Sequence, residues 1–301
     1  MRILITGITG FVGSHVAKAL LQKGHQIFGL VRAQSPSYRL NDCKAEVVLR
    51  SADIGDGESI LRIFSETKPD VIYHLAAAGV KASKREWLSN IATNILGTQH
   101  VIEACRAQRS VRRLIYTNSC LENQVTSNPA LAANPYVCSK YFATLLVSEA
   151  ARCERRFTTA VATLFSVYGE DDDEENLINF VIRCLRRGKV AELGSGKAIR
   201  DWIYVEDAAE ALVALAQDRH NKTHYHIGTA TGITVRDVAE KIATILQQPQ
   251  SLRFDTITDR GDELIATIAD AQKLVPSLPP PKTLEEALPR LLSSSQFAIA
   301  H

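Results

Sequence analysis

Short apolar runs rich in Ile, Leu and Val recur at 2–6, 26–31, 45–49, 70–75, 112–117 and 158–165. Each is bounded by polar or glycine-containing segments, which predicts buried strands. Between them, apolar residues recur at helical spacing over 12–23, 86–108 and 136–154, the last entered through Asn134-Pro135, a pair that favours a helix start. Strands alternating with helices predict an α/β fold, a doubly wound parallel sheet covered on both faces. After residue 166 the pattern changes. An acidic run from Glu170 to Glu175, a helix to about Arg187 and a Gly-Ser-Gly loop at 194–196 predict a smaller second lobe. Asp201 to Tyr204, a helix at 206–217 and a short strand near Tyr225 to Ile227 are expected to complete the sheet. The expected domains are therefore 1–165 with about 201–230, which bind a dinucleotide, and 166–200 with 231–301, which bind substrate. Ser277 to Pro281 reads as a rigid Pro-rich connector.

At 301 residues and 46% hydrophobic content the chain can bury one large core and a smaller lobe. The six cysteines, Cys43, Cys105, Cys120, Cys138, Cys153 and Cys184, form no CxxC pair and no His/Cys metal spacing. That pattern implies reduced thiols in a cytoplasmic setting and no structural zinc. A net charge of +2 without basic blocks gives no reason to expect a nucleic-acid or membrane partner. A chain opening on a core strand is expected to lack a signal peptide, and no apolar run approaches membrane-spanning length. The acidic run reads as a solvated loop rather than a metal site.

The candidate chemistry begins where the first strand breaks into Gly7, Gly10 and Gly13 ahead of a helix. Glycines there let a pyrophosphate approach the backbone, and the new helix's amides and dipole attract its charge; a merely tight loop is the alternative. The second strand ends at Arg32, where an acid would bond the adenosine ribose of NAD. A guanidinium there suits a 2′-phosphate, so NADP(H) is expected over NAD(H), against the plain reading of an exposed arginine. Tyr136 and Lys140 lie one helical turn apart, so an ammonium could lower the phenol's pKa for proton exchange with a substrate oxygen. Alone, Tyr-x-x-x-Lys is a weak pattern. It gains weight from Ser119, at the carboxyl end of an apolar strand where ligands bind in such sheets. His74 lies within its strand and reads as structural, and the small residues after it would let a cofactor pass closely.

Taken together, Thr6-Gly-Ile-Thr-Gly-Phe-Val-Gly13, Asp53-Ile54, His74-Leu-Ala-Ala77, Asn94-Ile-Leu-Gly-Thr98, Ser119, Tyr136/Lys140, Phe165-Ser-Val-Tyr-Gly169 and Arg200-Asp-Trp-Ile-Tyr-Val-Glu-Asp207 resemble, over nearly the whole length, an extended short-chain dehydrogenase/reductase of the NAD-dependent epimerase/dehydratase family. The resemblance implies a Rossmann-type fold, a catalytic triad of Ser119, Tyr136 and Lys140, and action on a nucleoside-diphosphate sugar. It implies cofactor contacts from Gly7, Thr9, Gly10, Phe11, Val12, Gly13, Arg32, Leu75, Ala76, Ala77, Tyr136 and Lys140. Asp53 and Ile54 should flank the adenine, and Asn94 should join the cofactor site and support the active-site helix. Substrate contacts would come from Ser83, Ser119, Ser166, Asn176, Arg200 and Arg260. Guanidinium forks suit a diphosphate, with surface pairing of Arg200 to Asp201 or Glu206, and of Arg260 to Asp259, as the alternatives. Relatives often dimerise through four helices, here 86–108 and 136–154 of each copy.

Two departures stand on the substrate side: Cys120-Leu-Glu-Asn123 replaces the family's usual turn after the active-site serine, and Ser166 stands where many relatives carry Asn. The short connection to Tyr136, Arg200-Asp201 and Asp259-Arg-Gly-Asp-Glu-Leu264 most resemble 4-ketoreductases of the CDP-abequose and CDP-paratose synthase type. The expected function is NADPH-dependent reduction of the C4 ketone of a nucleoside-diphosphate 4-keto-6-deoxyhexose. The alternatives are an NAD-retaining sugar-nucleotide 4-epimerase or dehydratase, and a non-catalytic NADP-binding sensor or scaffold.

Overall fold

The computed structural model describes residues 1–81, 85–126, 128–217, 222–258, 266–276 and 278–294. Ser83, Arg260, the run Asp259 to Leu264 and Ser277 of the expected connector lie outside the described residues. In chain order the elements are β1 (Arg2–Thr6), α1 (Phe11–Gln22), β2 (Gln26–Val31), β3 (Val47–Ser51), α2 (Gly57–Thr67), β4 (Val71–His74), α3 (Trp87–Asn90), a π-helical segment (Ile91–Leu96), α4 (Gly97–Ala107), β5 (Arg113–Ser119), α5 (Pro129–Ala132), α6 (Pro135–Cys153) and β6 (Thr158–Leu164). There follow β7 (Ser166–Tyr168), α7 (Leu177–Arg186), β8 (Ala191–Glu192), β9 (Ile199–Tyr204), α8 (Val205–Ala214), β10 (His224–Ile227), β11 (Gly232–Thr234), α9 (Val235–Ile245), β12 (Leu252–Arg253) and α10 (Leu284–Ser293).

One compact unit comprises Met1–Leu164 with Ala209–His226. Its seven-stranded sheet runs β10-β6-β5-β4-β1-β2-β3, so the strand order reverses between β1 and β4. β1 pairs in parallel with β2 and β4, β2 with β3, β4 with β5, and β5 with β6. Ile3, Leu4 and Ile5 are wholly buried, as a strand covered on both faces requires. One layer of the core joins Leu4, Phe28, Ile72 and Leu114 of the sheet to Ile60, Ile63 and Phe64 of α2, Val101 and Ile102 of α4, and Ala143 and Val147 of α6. Each large side chain so buried contributes about 1.5–3 kcal/mol.

Register decides where the chemistry emerges. β4 pairs only with Arg113 to Tyr116 of β5, whereas β6 pairs with all of β5 to Ser119. Thr117, Asn118 and Ser119 therefore run past the end of β4, at the carboxyl side of the sheet where doubly wound folds hold their ligands.

The second unit comprises Phe165–Ala208 with Ile227–His301. It holds a three-stranded sheet ordered β11-β9-β7 and a two-stranded sheet of β12 and β8. β9, expected to extend the large sheet, is instead the central strand of this small one, antiparallel to β11 and parallel to β7. Its polar Arg200 and Asp201 interrupt the apolar run that a strand of the buried sheet would need. The seventh position of the large sheet is taken by β10, and the chain returns to the first unit at Ala209 rather than near 201.

Asp201 is fully buried and accepts from Thr229 N and Oγ1, each at 2.7 Å, Ala230 N at 2.8 Å and Ala269 N at 3.0 Å. It therefore acts as a knot for two loops, and its oxygens are committed to those donors rather than to the neighbouring Arg200. The acidic run is also more organised than a solvated loop. Both oxygens of Glu170 accept from the Tyr204 hydroxyl at 2.7 Å, and buried Asp172 accepts from Asn176 Nδ2 and Asp173 N. No helix among the described residues is long and apolar enough to cross a membrane.

Candidate active site

The turn between β1 and α1 is built by close backbone approach. Gly7 has φ +72°, and a Cβ there would stand 2.7 Å from Ala76 N, in the segment that leaves β4. A Cβ at Gly13 would stand 2.2 Å from Gly7 O, so the first turn of α1 rests directly on the loop. Gly10 differs. Apart from Gly7 O at 3.1 Å, nothing lies within 4 Å of where its Cβ would be, so a methyl group would fill open space over the turn. α1 has no side-chain cap and no acidic residue in its first turn. Open space over Gly10, uncapped amides and the helix dipole fit a dinucleotide pyrophosphate, with Thr9, Phe11 and Val12 supplying the adjoining backbone.

The second part of the site is carried by β5 and α6. Asn134 caps α6 by accepting from Tyr136 N at 3.1 Å and Val137 N at 3.4 Å, and Pro135 supplies the preset φ of the first turn. Tyr136 thus stands at the helix entrance and Lys140 one turn on. Tyr136 is half-buried and its phenol is hydrogen-bonded with Ser119, so the two hydroxyls meet although 17 residues separate them in the chain. Lys140 is 3% exposed; its Nζ donates to Thr117 O at 2.5 Å and lies 4.2 Å from the Tyr116 ring centroid.

This geometry corrects the expected electrostatics. Burial pushes the Tyr136 phenol up to about 12, and Cys120 and Glu122 add to the rise; the Ser119 hydrogen bond and the charge of Arg85 oppose it. Lys140 Nζ is turned to the β5 carbonyl and the Tyr116 ring, and the cation that opposes the rise is Arg85. Burial lowers Lys140 itself to about 8, against an upward pull from Glu122.

Two of these groups went unmarked in the sequence. Arg85 carries a cation to the phenol from the segment before α3. Glu122, 2% exposed in the turn after β5, accepts from Asn118 Nδ2, and burial raises its carboxyl to about 7. The one signal for Glu122 was a carboxylate inside the unusual Cys120-Leu-Glu-Asn123 turn.

The remaining expected residues divide. Asn94, 2% exposed in the π-helical segment, accepts from Ala78 N at 2.8 Å and donates to Ala78 O, Asn90 Oδ1 and Ser139 Oγ, the last at 2.8 Å. It ties that segment to α6 as expected. His74 bridges Thr6 Oγ1 and Thr98 Oγ1, both at 2.8 Å, and burial lowers it to about 3, so it is neutral and structural. Leu75 and Ala76 follow β4 with their amides bound to Thr6 O and Oγ1, and Ala77 is part-exposed beside them. The Asp53 carboxylate accepts from Gly55 N, and Ile54 is buried, its side chain against Gly97 and its carbonyl accepting from His100 Nδ1 at 3.0 Å. Arg32 is exposed just beyond β2, and its side chain makes no bond among the described residues.

In the second unit, Ser166 opens β7 opposite Trp202, Asn176 is engaged with Asp172, and Arg200 Nη1 donates to Ile199 O at 3.0 Å.

A Rossmann-type sheet with a glycine turn at its first strand and Ser, Tyr and Lys gathered beyond its fifth defines an extended short-chain dehydrogenase/reductase. The NAD dependent epimerase/dehydratase family matches residues 3–228, and the chain belongs to it. It is similar to UDP-glucose 4-epimerase of Mycolicibacterium smegmatis, with 28% identity over 84% of this chain and 85% of that protein. It is also similar to dTDP-glucose 4,6-dehydratase 1 of Escherichia coli, with 29% identity over 82% of this chain and 77% of the other. Among solved structures, the UDP-glucose 4-epimerase of Thermus thermophilus in complex with NAD superposes with a TM-score of 0.82, 25% identity and 97% of each chain covered.

Proposed function

We propose that this chain transfers hydride at C4 of a nucleoside-diphosphate hexose and acts as a 4-epimerase. The observation that carries the reading is the meeting of the Ser119 and Tyr136 hydroxyls beside buried Lys140 at the carboxyl end of β5. Relatedness to UDP-glucose 4-epimerases over most of both chains supports epimerisation over the simple 4-keto reduction expected from the sequence. Cys120 and Leu121 stand where the 4,6-dehydratases to which the chain is also similar would need an acid and a base, which favours the epimerase within that pair.

The nicotinamide dinucleotide, when bound, supplies the hydride acceptor and donor. Gly7, Thr9, Gly10, Phe11, Val12 and Gly13 would hold its pyrophosphate, with Asp53, the Ile54 backbone, Leu75, Ala76, Ala77 and Asn94 around the rest. Ser119 and Tyr136 hydrogen-bond the C4 oxygen, and Tyr136 exchanges a proton with it. A phenol raised by burial is a ready proton donor, and the charge of Arg85 favours the phenolate that must form when it accepts a proton.

A second reading, NADPH-dependent 4-keto reduction, rests on one observation: Arg32 is exposed where an NAD enzyme would carry an acid. One assay separates the two. Purified chain is offered UDP-, dTDP-, GDP- and CDP-hexoses and their 4-keto-6-deoxy forms. Epimerisation without net consumption of reductant supports the first reading; stoichiometric NADPH oxidation on a ketosugar replaces it with the second.

A homodimer is part of the proposal. Leu88 is 84% exposed, Trp87, Ile91 and Leu96 expose apolar surface on α3 and the π-helical segment, and Phe142 and Leu145 do so on α6, apolar surface suited to a second copy. Light scattering tests it.

A further inference from the structure

Asn118 and Glu122 form a half-completed pair. Asn118 Nδ2 donates to Glu122 Oε1, and the Glu122 carboxyl is also hydrogen-bonded with the Thr144 side chain and the Ser119 backbone, yet Asn118 Oδ1 and Glu122 Oε2 are both buried oxygens without a close hydrogen-bond partner among the described residues. Asn118 is 4% and Glu122 2% exposed, so bulk solvent does not reach the pair. Two orphaned acceptors in one buried pair are costly, and a single proton between them satisfies both. A carboxylic acid can face a carboxamide with two antiparallel hydrogen bonds, of which one is already present.

We propose that Glu122 rests as a neutral acid whose Oε2–H donates to Asn118 Oδ1, and that its ionisation sets the alkaline limit of proton exchange at Tyr136. The groups facing it are Lys140 and Tyr136 from α6, Tyr116 from β5 and, on its own turn, Cys120, which acts with it on Tyr136. Neutral Glu122 leaves the phenol free of a neighbouring negative charge. Once ionised, it opposes formation of the Tyr136 phenolate and draws on Lys140. The step is a simple proton loss: Oε2 gives its proton to solvent base, the bond to Asn118 Oδ1 breaks, and one negative charge appears beside the triad. Glu122 is thus a positioning residue that acts through Tyr136 and Lys140, and the second half of this claim rests on the proton-exchange role proposed above.

The test has two arms. Infrared difference spectra of the full chain between pH 5 and pH 9 should show a protonated-carboxyl C=O stretch that fades with a midpoint near 7, as burial raises the group, and that is missing in Glu122→Gln. This arm needs no turnover, so it holds or fails independently of the functional reading. In the second arm, kcat of the parent should fall through that same midpoint. Glu122→Gln, a permanent mimic of the neutral acid whose amide can meet Asn118 Oδ1, should lose that limb; Glu122→Ala should lower kcat about tenfold or more at every pH. Absence of the carbonyl band overturns the neutral acid. A band with an unchanged alkaline limb in Glu122→Gln overturns the control of Tyr136.

Discussion

Lys140 Nζ donates to the Thr117 carbonyl at 2.5 Å, so the cation expected to acidify Tyr136 is held against β5. Burial raises the Tyr136 phenol to about 12, so it keeps its proton at neutral pH. In a sample labelled at tyrosine Cζ, the resonance assigned through Tyr136→Phe should remain that of a neutral phenol up to about pH 10. A midpoint below about 9 would place the ammonium against the phenol and contradict this arrangement. In turnover, Tyr136→Phe should lower kcat by about 10²–10⁴-fold with cofactor affinity retained.

Asn94 satisfies four partners from inside a π-helical segment, a geometry that turns its amide toward α6. Asn94→Ala leaves Ala78 N and O and the Ser139 hydroxyl to find new partners. We expect a loss of about 1–3 kcal/mol in denaturant unfolding, from buried groups left unpaired, and a lower kcat because α6 carries Tyr136 and Lys140. Full retention of both would reduce Asn94 to a bystander.

The proposed NADPH-dependent reading turns on Arg32. If its guanidinium meets a 2′-phosphate, Arg32→Ala should weaken NADP(H) by about 1.5–3 kcal/mol, roughly 10- to 100-fold in Kd, and leave NAD(H) within about twofold. Equal weakening of both dinucleotides, or tighter NAD(H) binding by the parent chain, would remove the NADP preference. Fluorescence titration of NADH and NADPH reads both outcomes.

The large sheet was legible because its strands are covered on both faces, which leaves continuous apolar runs such as Ile3 to Ile5 that nothing else in the chain imitates. Tyr136, Lys140 and Ser119 were legible for another reason: the helix entrance at Asn134-Pro135 and the polar end of an apolar strand are local signals. β9 was misplaced because its sequence records only that it is a strand. The choice of sheet is made by Asp201, whose four donors come from residues 28 to 68 positions away. The partner of Lys140 was not legible for the same kind of reason, since helical spacing fixes its distance along α6 while the Thr117 carbonyl it donates to comes from β5. Glu122 was missed because a lone carboxylate after a strand most often faces solvent, and its burial depends on Asn118 and Thr144 folding over it.

A charge-free Glu122 also has a consequence for stability. Burial raises its carboxyl from an ordinary 4.5 to about 7, so between those values the folded chain holds this proton more tightly than the unfolded chain. The sign follows from linkage: the extra stability is fully present below pH 4.5, declines as pH rises and is gone above about pH 7. Glu122→Gln cannot lose the proton's equivalent, so it escapes the decline. Relative to the parent, its unfolding free energy should rise across that window by up to about 3 kcal/mol, with titrating groups remote from Glu122 cancelling in the difference and Lys140, which Glu122 pulls upward, contributing only towards pH 8. Urea unfolding of both chains at half-unit intervals from pH 4 to pH 8.5 measures it. A difference that falls as pH rises from 4 would mean that Glu122 is ionised and held by Lys140 as a buried ion pair, and a constant difference would mean that folding leaves its proton affinity unchanged; either overturns the neutral acid.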